Sequence, residues 1–142
     1  MQIEKRIDTD RDAATVFAYL SDFETTTQWD PGTVRTVLMT GDGGVGTQYR
    51  NISKFLGRET ELIYTVTSLV PGKQIALRGE NKAVVAHDTI TVEPTATGSQ
   101  VHYLAEFDFQ GIAKLLAPLA APAFAKLGNE AEKGMSEAFA KL

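Results

Sequence analysis

The sequence predicts an α+β fold in which a curved, antiparallel seven-stranded sheet wraps around a long C-terminal helix, with two short helices between strands 1 and 2. Three observations carry this. From Gly111 to Leu142, apolar residues recur every three or four positions, the period of one helical face. From Thr33 to Gln110 the period falls to two, broken by short glycine- and proline-containing turns. Between a first patterned strand and that region lie two helix-start signals.

Residues 2 to 8 form the first strand in this reading, with Ile3 and Ile7 among charged neighbours. Thr9-Asp10-Arg11-Asp12 follows, whose side-chain oxygens accept the free amide hydrogens of a first helical turn. Ala13, Val16, Phe17 and Leu20 then give one apolar helix face. Ser21 and Glu24 have capping-box spacing, so a second short helix is expected to run from there toward Gln28. Trp29-Asp30-Pro31-Gly32 ends it, because proline disfavours helical geometry in the preceding residue.

Strands are expected near 33–40, 45–54, 58–69, 73–79, 84–94 and 99–110. Their connections are too short for parallel crossovers, so neighbours should be antiparallel. Side-chain alternation assigns the inner face. It places Val101, Tyr103, Ala105, Phe107 and Phe109 inside, together with Ile90 and Val92, Ile75 and Leu77, and Leu62, Tyr64 and Val66. Tyr49 is the inward candidate of its strand. Strand 33–40 is ambiguous, with Val34 and Leu38 on one face and Val37 and Met39 on the other.

The terminal stripe comprises Ile112, Leu115, Leu116, Leu119, Ala123, Phe124, Leu127, Ala131, Met135, Ala138, Phe139 and Leu142. Pro118 and Pro122 remove backbone donors and predict a kink or a short first helix near 111–118 before the main helix. Met135, Phe139 and Leu142 are expected to seal one end of the space beneath it.

Length and composition narrow the function. At 142 residues the chain suits one domain, 1–142, able to bury a core without disulfide or metal support, and it has no cysteine. Fourteen basic against eighteen acidic side chains give a net charge of −4 with no basic cluster, which argues against a nucleic-acid partner. The start, Met1 to Arg6, has no signal-peptide core, and no apolar run approaches the ~20 residues of a membrane span. A cytoplasmic location is therefore expected.

The order of elements resembles the helix-grip fold of the START-like superfamily, which includes the birch-pollen allergens, and in particular its bacterial polyketide cyclase/dehydrase-like branch. The residues that carry the resemblance are Val16-Phe17-x-x-Leu20-x-Asp22, Trp29-x-Pro31, Gly44-x-Gly46-Thr47, Val66-Thr67 before Val70-Pro71-Gly72, and Gly98. They span the whole chain and are structural. The resemblance implies an elongated apolar cavity between the sheet and the terminal helix, used by the family for lipids, polyketides, hormones or other hydrophobic ligands.

Other motifs fit structural roles. Gly41-Asp42-Gly43-Gly44-Val45-Gly46 has dinucleotide-fingerprint spacing but leads into a strand, with no helix N-terminus to receive a pyrophosphate. Asp8-x-Asp10-x-Asp12 imitates a calcium loop, yet its sixth position is Ala13 and its twelfth Tyr19. His87 and His102 are the only histidines and have no metal-ligand spacing, so no metal or cofactor is assigned. His87 and Asp88 are adjacent in a strand and point to opposite faces.

The expected function is binding of an apolar small molecule, lipid-like, polyketide-like or aromatic. The candidate ligand-binding residues are Trp29, Tyr49, Tyr64, Val66, Leu77, Ile90, Tyr103, Phe107, Leu116, Leu119, Ala123 and Leu127. Trp29 either anchors the short helices or also forms the cavity mouth, and the tyrosines need hydrogen-bond partners that protein or ligand oxygens can supply. No catalytic residue is assigned. The alternative is a polyketide cyclase or dehydratase using Tyr49, Tyr64, Tyr103 or His87 for proton transfer. A third reading is a protein-interaction module. Ligand identity, chemistry and oligomeric state are not readable from the residues.

Overall fold

A computed structural model describes all 142 residues. Seven strands form one sheet: β1 (Gln2–Thr9), β2 (Thr33–Thr40), β3 (Gln48–Phe55), β4 (Arg58–Val70), β5 (Gln74–Glu80), β6 (Val84–Thr95) and β7 (Gly98–Phe109). The sheet order is β1-β7-β6-β5-β4-β3-β2 with every pair antiparallel, so the short hairpins build β2 to β7 and the first strand closes against the last. Helices α1 (Ala13–Ser21) and α2 (Thr26–Trp29) lie between β1 and β2. The terminal segment consists of α3 (Ile112–Leu116), a 3-10 turn (Ala117–Ala120) and α4 (Ala121–Ala140). This is the expected helix-grip arrangement, and no helix is long and apolar enough to cross a membrane.

Asp12 caps α1, its Oδ2 accepting from the Thr15 amide at 3.1 Å and its Oδ1 from the Thr15 hydroxyl at 2.7 Å. The Ser21–Glu24 capping box does not form. Asp22 takes the cap instead, accepting from the Glu24 amide at 3.1 Å, while the Glu24 carboxylate reaches across to the Leu38 amide at 3.0 Å. The predicted second helix is correspondingly a 3-10 turn (Phe23–Thr25) followed by a single turn of α2.

Strand alternation places the inner face correctly for β4 to β7: Leu62, Tyr64, Val66, Ile75, Leu77, Ile90, Val92, Val101, Tyr103 and Ala105 are all buried. Strand β3 starts at Gln48 rather than 45, because Val45 and Gly46 belong to the preceding turn. In β2 neither apolar set faces inward. Val34, Val37, Leu38 and Met39 are exposed, whereas Thr33 and Thr36 are buried. A register irregularity between Thr33 and Arg35 shifts the alternation, and the inward Thr36 hydroxyl is satisfied by Asn51 at 2.9 Å and Thr26 at 2.6 Å.

The terminal segment is two-sided in a way its periodicity did not reveal. In α4, Phe124, Gly128, Ala131, Met135 and Phe139 are buried, and Arg11 fastens the helix end by donating to the carbonyls of Phe139 at 3.0 Å and Ala140 at 2.7 Å. In α3 and its 3-10 turn no residue is buried. Ile112, Leu115 and Leu119 are 77%, 77% and 80% exposed, so this part of the stripe does not pack into the core. Leu142, expected to help seal the end, is 38% exposed, whereas Met135 and Phe139 are fully buried.

The approach of α4 to α2 depends on Gly134. A Cβ there would lie 2.0 Å from the Trp29 carbonyl oxygen, so any side chain forces the two helices apart. Gly134→Ala is expected to destabilise the fold by about 3 kcal/mol, measured as the urea midpoint multiplied by the slope. A change under about 0.5 kcal/mol would show that the contact does not set the helix position.

Candidate functional site

The inner face of the sheet is divided. Toward one end, Val16, Phe17 and Leu20 of α1, Met135 and Phe139 of α4, and Val66, Ile75, Leu77, Ile90 and Val92 of the sheet are all buried in the core, and none of them borders open space. Toward the other, the chain turns through Pro122 and Pro118 into the unburied α3, and the sheet is left uncovered beneath it. The gap is a cavity of about 540 Å³. Its walls are the inner faces of β3, β4, β6 and β7, the segment from Phe23 to Thr33, and the terminal segment from Ala113 to Ala131. Phe124 closes the roof, with its ring 4.6 Å from Phe55, 5.1 Å from Phe107 and 5.6 Å from Phe109.

Of the twelve candidate residues, Trp29, Tyr64, Tyr103, Phe107, Leu116, Leu119 and Leu127 line this cavity. The other five do not. Val66, Leu77 and Ile90 lie on the expected face but beneath the packed half, where no space remains. Tyr49 stands on the far side of Phe23, whose ring packs 5.7 Å from it and 4.9 Å from Tyr64. It borders a second, mixed hollow beside Asp22, Glu24 and Asp42. Ala123 is a half-buried flank of α4, and the neighbouring Phe124 takes the cavity-facing position. Trp29 is 2% exposed, packs edge-on to Tyr103 at 5.6 Å, and lines the cavity from inside rather than at its mouth.

The apolar wall carries one polar patch that the pattern of apolar residues did not single out. Asp88 of β6 is 4% exposed and lines the cavity. Its Oδ2 accepts from the Tyr103 hydroxyl at 3.3 Å, and its Oδ1 has no hydrogen-bond partner. Asp30, at the end of α2, also lines the cavity; its carboxylate accepts from the Gly32 amide at 3.0 Å and the Thr33 hydroxyl at 2.9 Å. Tyr64 completes the patch, its ring lying over Gly79 of β5, where a Cβ would fall 2.6 Å from the ring. The available signal was parity: Asp88 shares the inward face with Ile90 and Val92, and a charged residue there stands out. His87 points outward, and His102 contacts Glu4 on the outer face at 2.6 Å.

Burial governs the protonation of this patch. Removal from water, reinforced by the charge of Asp30, raises Asp88 to about 7 against the opposing hydrogen bond from Tyr103. Asp30 is raised for the same primary reason, tempered by its bonds from Thr33 and Gly32. Tyr64 and Tyr103 are pushed well above the ordinary phenol value by burial and then by the two carboxylates, so both remain neutral. No group of three or more His, Cys, Asp or Glu side chains converges as a metal site.

A curved sheet gripping a terminal helix, with an apolar cavity between them, is the helix-grip fold. The family model described as "Polyketide cyclase / dehydrase and lipid transport" matches residues 1–141, and the chain belongs to that family. Among solved structures, an aromatase/cyclase from Streptomyces sp. R1128 superposes with a TM-score of 0.83 at 12% identity, over 99% of this chain and 94% of that one. A protein from Thermus thermophilus gives 0.80 at 13% identity, over 99% and 97%. A START superfamily protein from Mycobacterium smegmatis gives 0.70 at 18% identity, over 96% and 97%. At these identities the likeness is one of fold. No curated protein sequence matches the chain.

The raised pKa of Asp88 has a thermodynamic signature. Between the ordinary carboxylate value of 3.8 and about 7, the folded protein holds a proton that the unfolded chain has lost. Stability therefore falls as pH rises through that window and levels off above it, by a total of about 4 kcal/mol from this group. Asp88→Asn removes the titrating group. The wild-type urea midpoint is expected to drop between about pH 4.5 and 7.5 relative to that of the variant. Parallel midpoint curves would contradict the assignment.

Proposed function

We propose that the chain binds an apolar small molecule, lipid-like, polyketide-like or aromatic, in the cavity between the sheet and the terminal segment. Trp29, Tyr64, Tyr103, Phe107, Leu116, Leu119 and Leu127 provide its contacts. The supporting observation is the division of the inner face, in which one half is packed shut while the other encloses about 540 Å³ behind apolar walls. The family membership agrees with this use of the space. Burying about 500 Å² of combined apolar surface contributes roughly 12 kcal/mol, and association costs of at least about 4 kcal/mol leave micromolar affinity. In this proposal the chain acts as one cytoplasmic domain.

A second reading, a cyclase or dehydratase acting in the same cavity, draws on the Tyr103–Asp88 pair. A carboxyl group near neutrality beside a neutral phenol can move a proton at a bound chain. Turnover of an aromatic polyketide precursor, abolished in Asp88→Asn with binding retained, would favour it. Absence of turnover across such precursors would leave binding as the activity.

The binding reading is tested with N-phenyl-1-naphthylamine, whose fluorescence rises in apolar surroundings. One molecule per chain is expected, at micromolar Kd. Leu127→Trp, which fills the cavity, should weaken binding about tenfold or more, whereas Ile90→Val in the packed half should leave Kd unchanged and cost about 1 kcal/mol of stability. Equal binding by wild type and a folded Leu127→Trp variant would place the ligand elsewhere.

A further inference from the structure

We propose that the inner end of the cavity is a seat for an organic ammonium group, so that the ligand is an apolar amine bound amine-first. This rests on the cavity-binding reading and specifies the chemistry of its ligand. Asp30 and Asp88 both line the cavity, and Asp88 Oδ1 is a buried acceptor without a donor. The structure supplies no countercharge. Lys54 and Arg58, the two cations on the cavity wall, are exposed at the β3–β4 turn, and neither pairs with Asp30 or Asp88.

Four aromatic rings surround the same patch. Trp29 packs on Tyr103, Phe23 packs on Tyr64, and all four line the cavity. Carboxylates beside aromatic rings are the chemistry that recognises a desolvated ammonium, through charge, N–H donors and attraction to the ring quadrupoles. The alternatives fit less well. A neutral hydroxyl donates one bond and leaves the negative charge uncompensated. A ligand carbonyl can accept from the Tyr64 hydroxyl but brings no donor to Asp88 Oδ1, and a ligand carboxylate meets two acidic groups.

The groups facing Asp88 are few. On β6 its neighbour His87 points outward; on β5 Leu77 lies opposite and Arg78 is paired outward with Glu80; on β7 Ala105 lies opposite, beside Tyr103, with His102 and Glu106 outward. Tyr64 approaches from β4 and Asp30 from the end of α2, while α4 presents the non-ionisable Phe124, Leu127 and Ala131 to the cavity. An ammonium ligand requires the carboxylate form. Its affinity should therefore rise about tenfold per pH unit up to about 7 and level off above.

The test is calorimetric titration of wild type and Asp88→Asn at about pH 8 with octylamine, 1-octanol and octanoate, and of wild type with octylamine at about pH 5.5. Octylamine should bind wild type about tenfold or more tightly than 1-octanol, lose that advantage in Asp88→Asn, and weaken at the lower pH. The wild-type comparison and its pH dependence decide the matter even if the variant does not fold. Equal binding of amine and alcohol to wild type, or an amine advantage that survives in folded Asp88→Asn, would overturn the ammonium seat while leaving cavity binding intact. Failure of all three compounds to bind would overturn both.

Discussion

The position of α4 is the constraint on which the rest of the structure depends. At its C-terminal half the helix is drawn onto the molecule by the bare backbone of Gly134 against Trp29, by Met135 and Phe139 in the core, and by Arg11 at its end. Gly128 makes a second close approach, to Ile3 of β1. Toward its N-terminus the last buried anchor is Phe124, packed on Phe55, Phe107 and Phe109. Pro122 and Pro118 lead the chain through a 3-10 turn into α3, whose residues bury nothing. A helix pinned at one end and released at the other leaves a wedge over the sheet, and that wedge is the cavity.

Within the wedge, apolar packing and charge are set against each other. Phe55, Phe107, Phe109 and Phe124 make a cluster that gains from excluding water, yet the same walls hold Asp88 away from solvent with one oxygen unpaired. A buried aliphatic residue at that position would avoid the desolvation cost. Retaining a carboxylate there sacrifices folding stability at neutral pH, the pattern expected where a binding or proton-transfer role outweighs packing.

Much of the architecture was legible because its signals are periodic. The two-residue alternation of β4 to β7 identified the inner face, and the three-to-four spacing of α4 identified its buried stripe. Period alone does not say whether a stripe meets a partner, which is why Ile112, Leu115 and Leu119 resembled core and are exposed. The edge strand β2, ambiguous by alternation, buries neither apolar set: beside a register irregularity it turns Thr36 inward, whose burial depends on Asn51 and Thr26, residues distant in sequence. Val66, Leu77 and Ile90 have the right parity for the cavity but are packed into the core and do not border it. Asp88 was visible as an inward-facing charge, but its significance rests on burial and on Tyr103, which three-dimensional packing alone supplies.

The central claim is that one half of the sheet's inner face receives the ligand and the other half does not. Isotope-filtered nuclear Overhauser spectroscopy on the labelled protein saturated with N-phenyl-1-naphthylamine measures this directly. The structure predicts cross-peaks from the probe to Tyr103, Phe107 and Leu127, and none to Val66, Leu77 or Ile90. Cross-peaks to the latter three, or only to residues of the hollow beside Tyr49 and Glu24, would contradict the account.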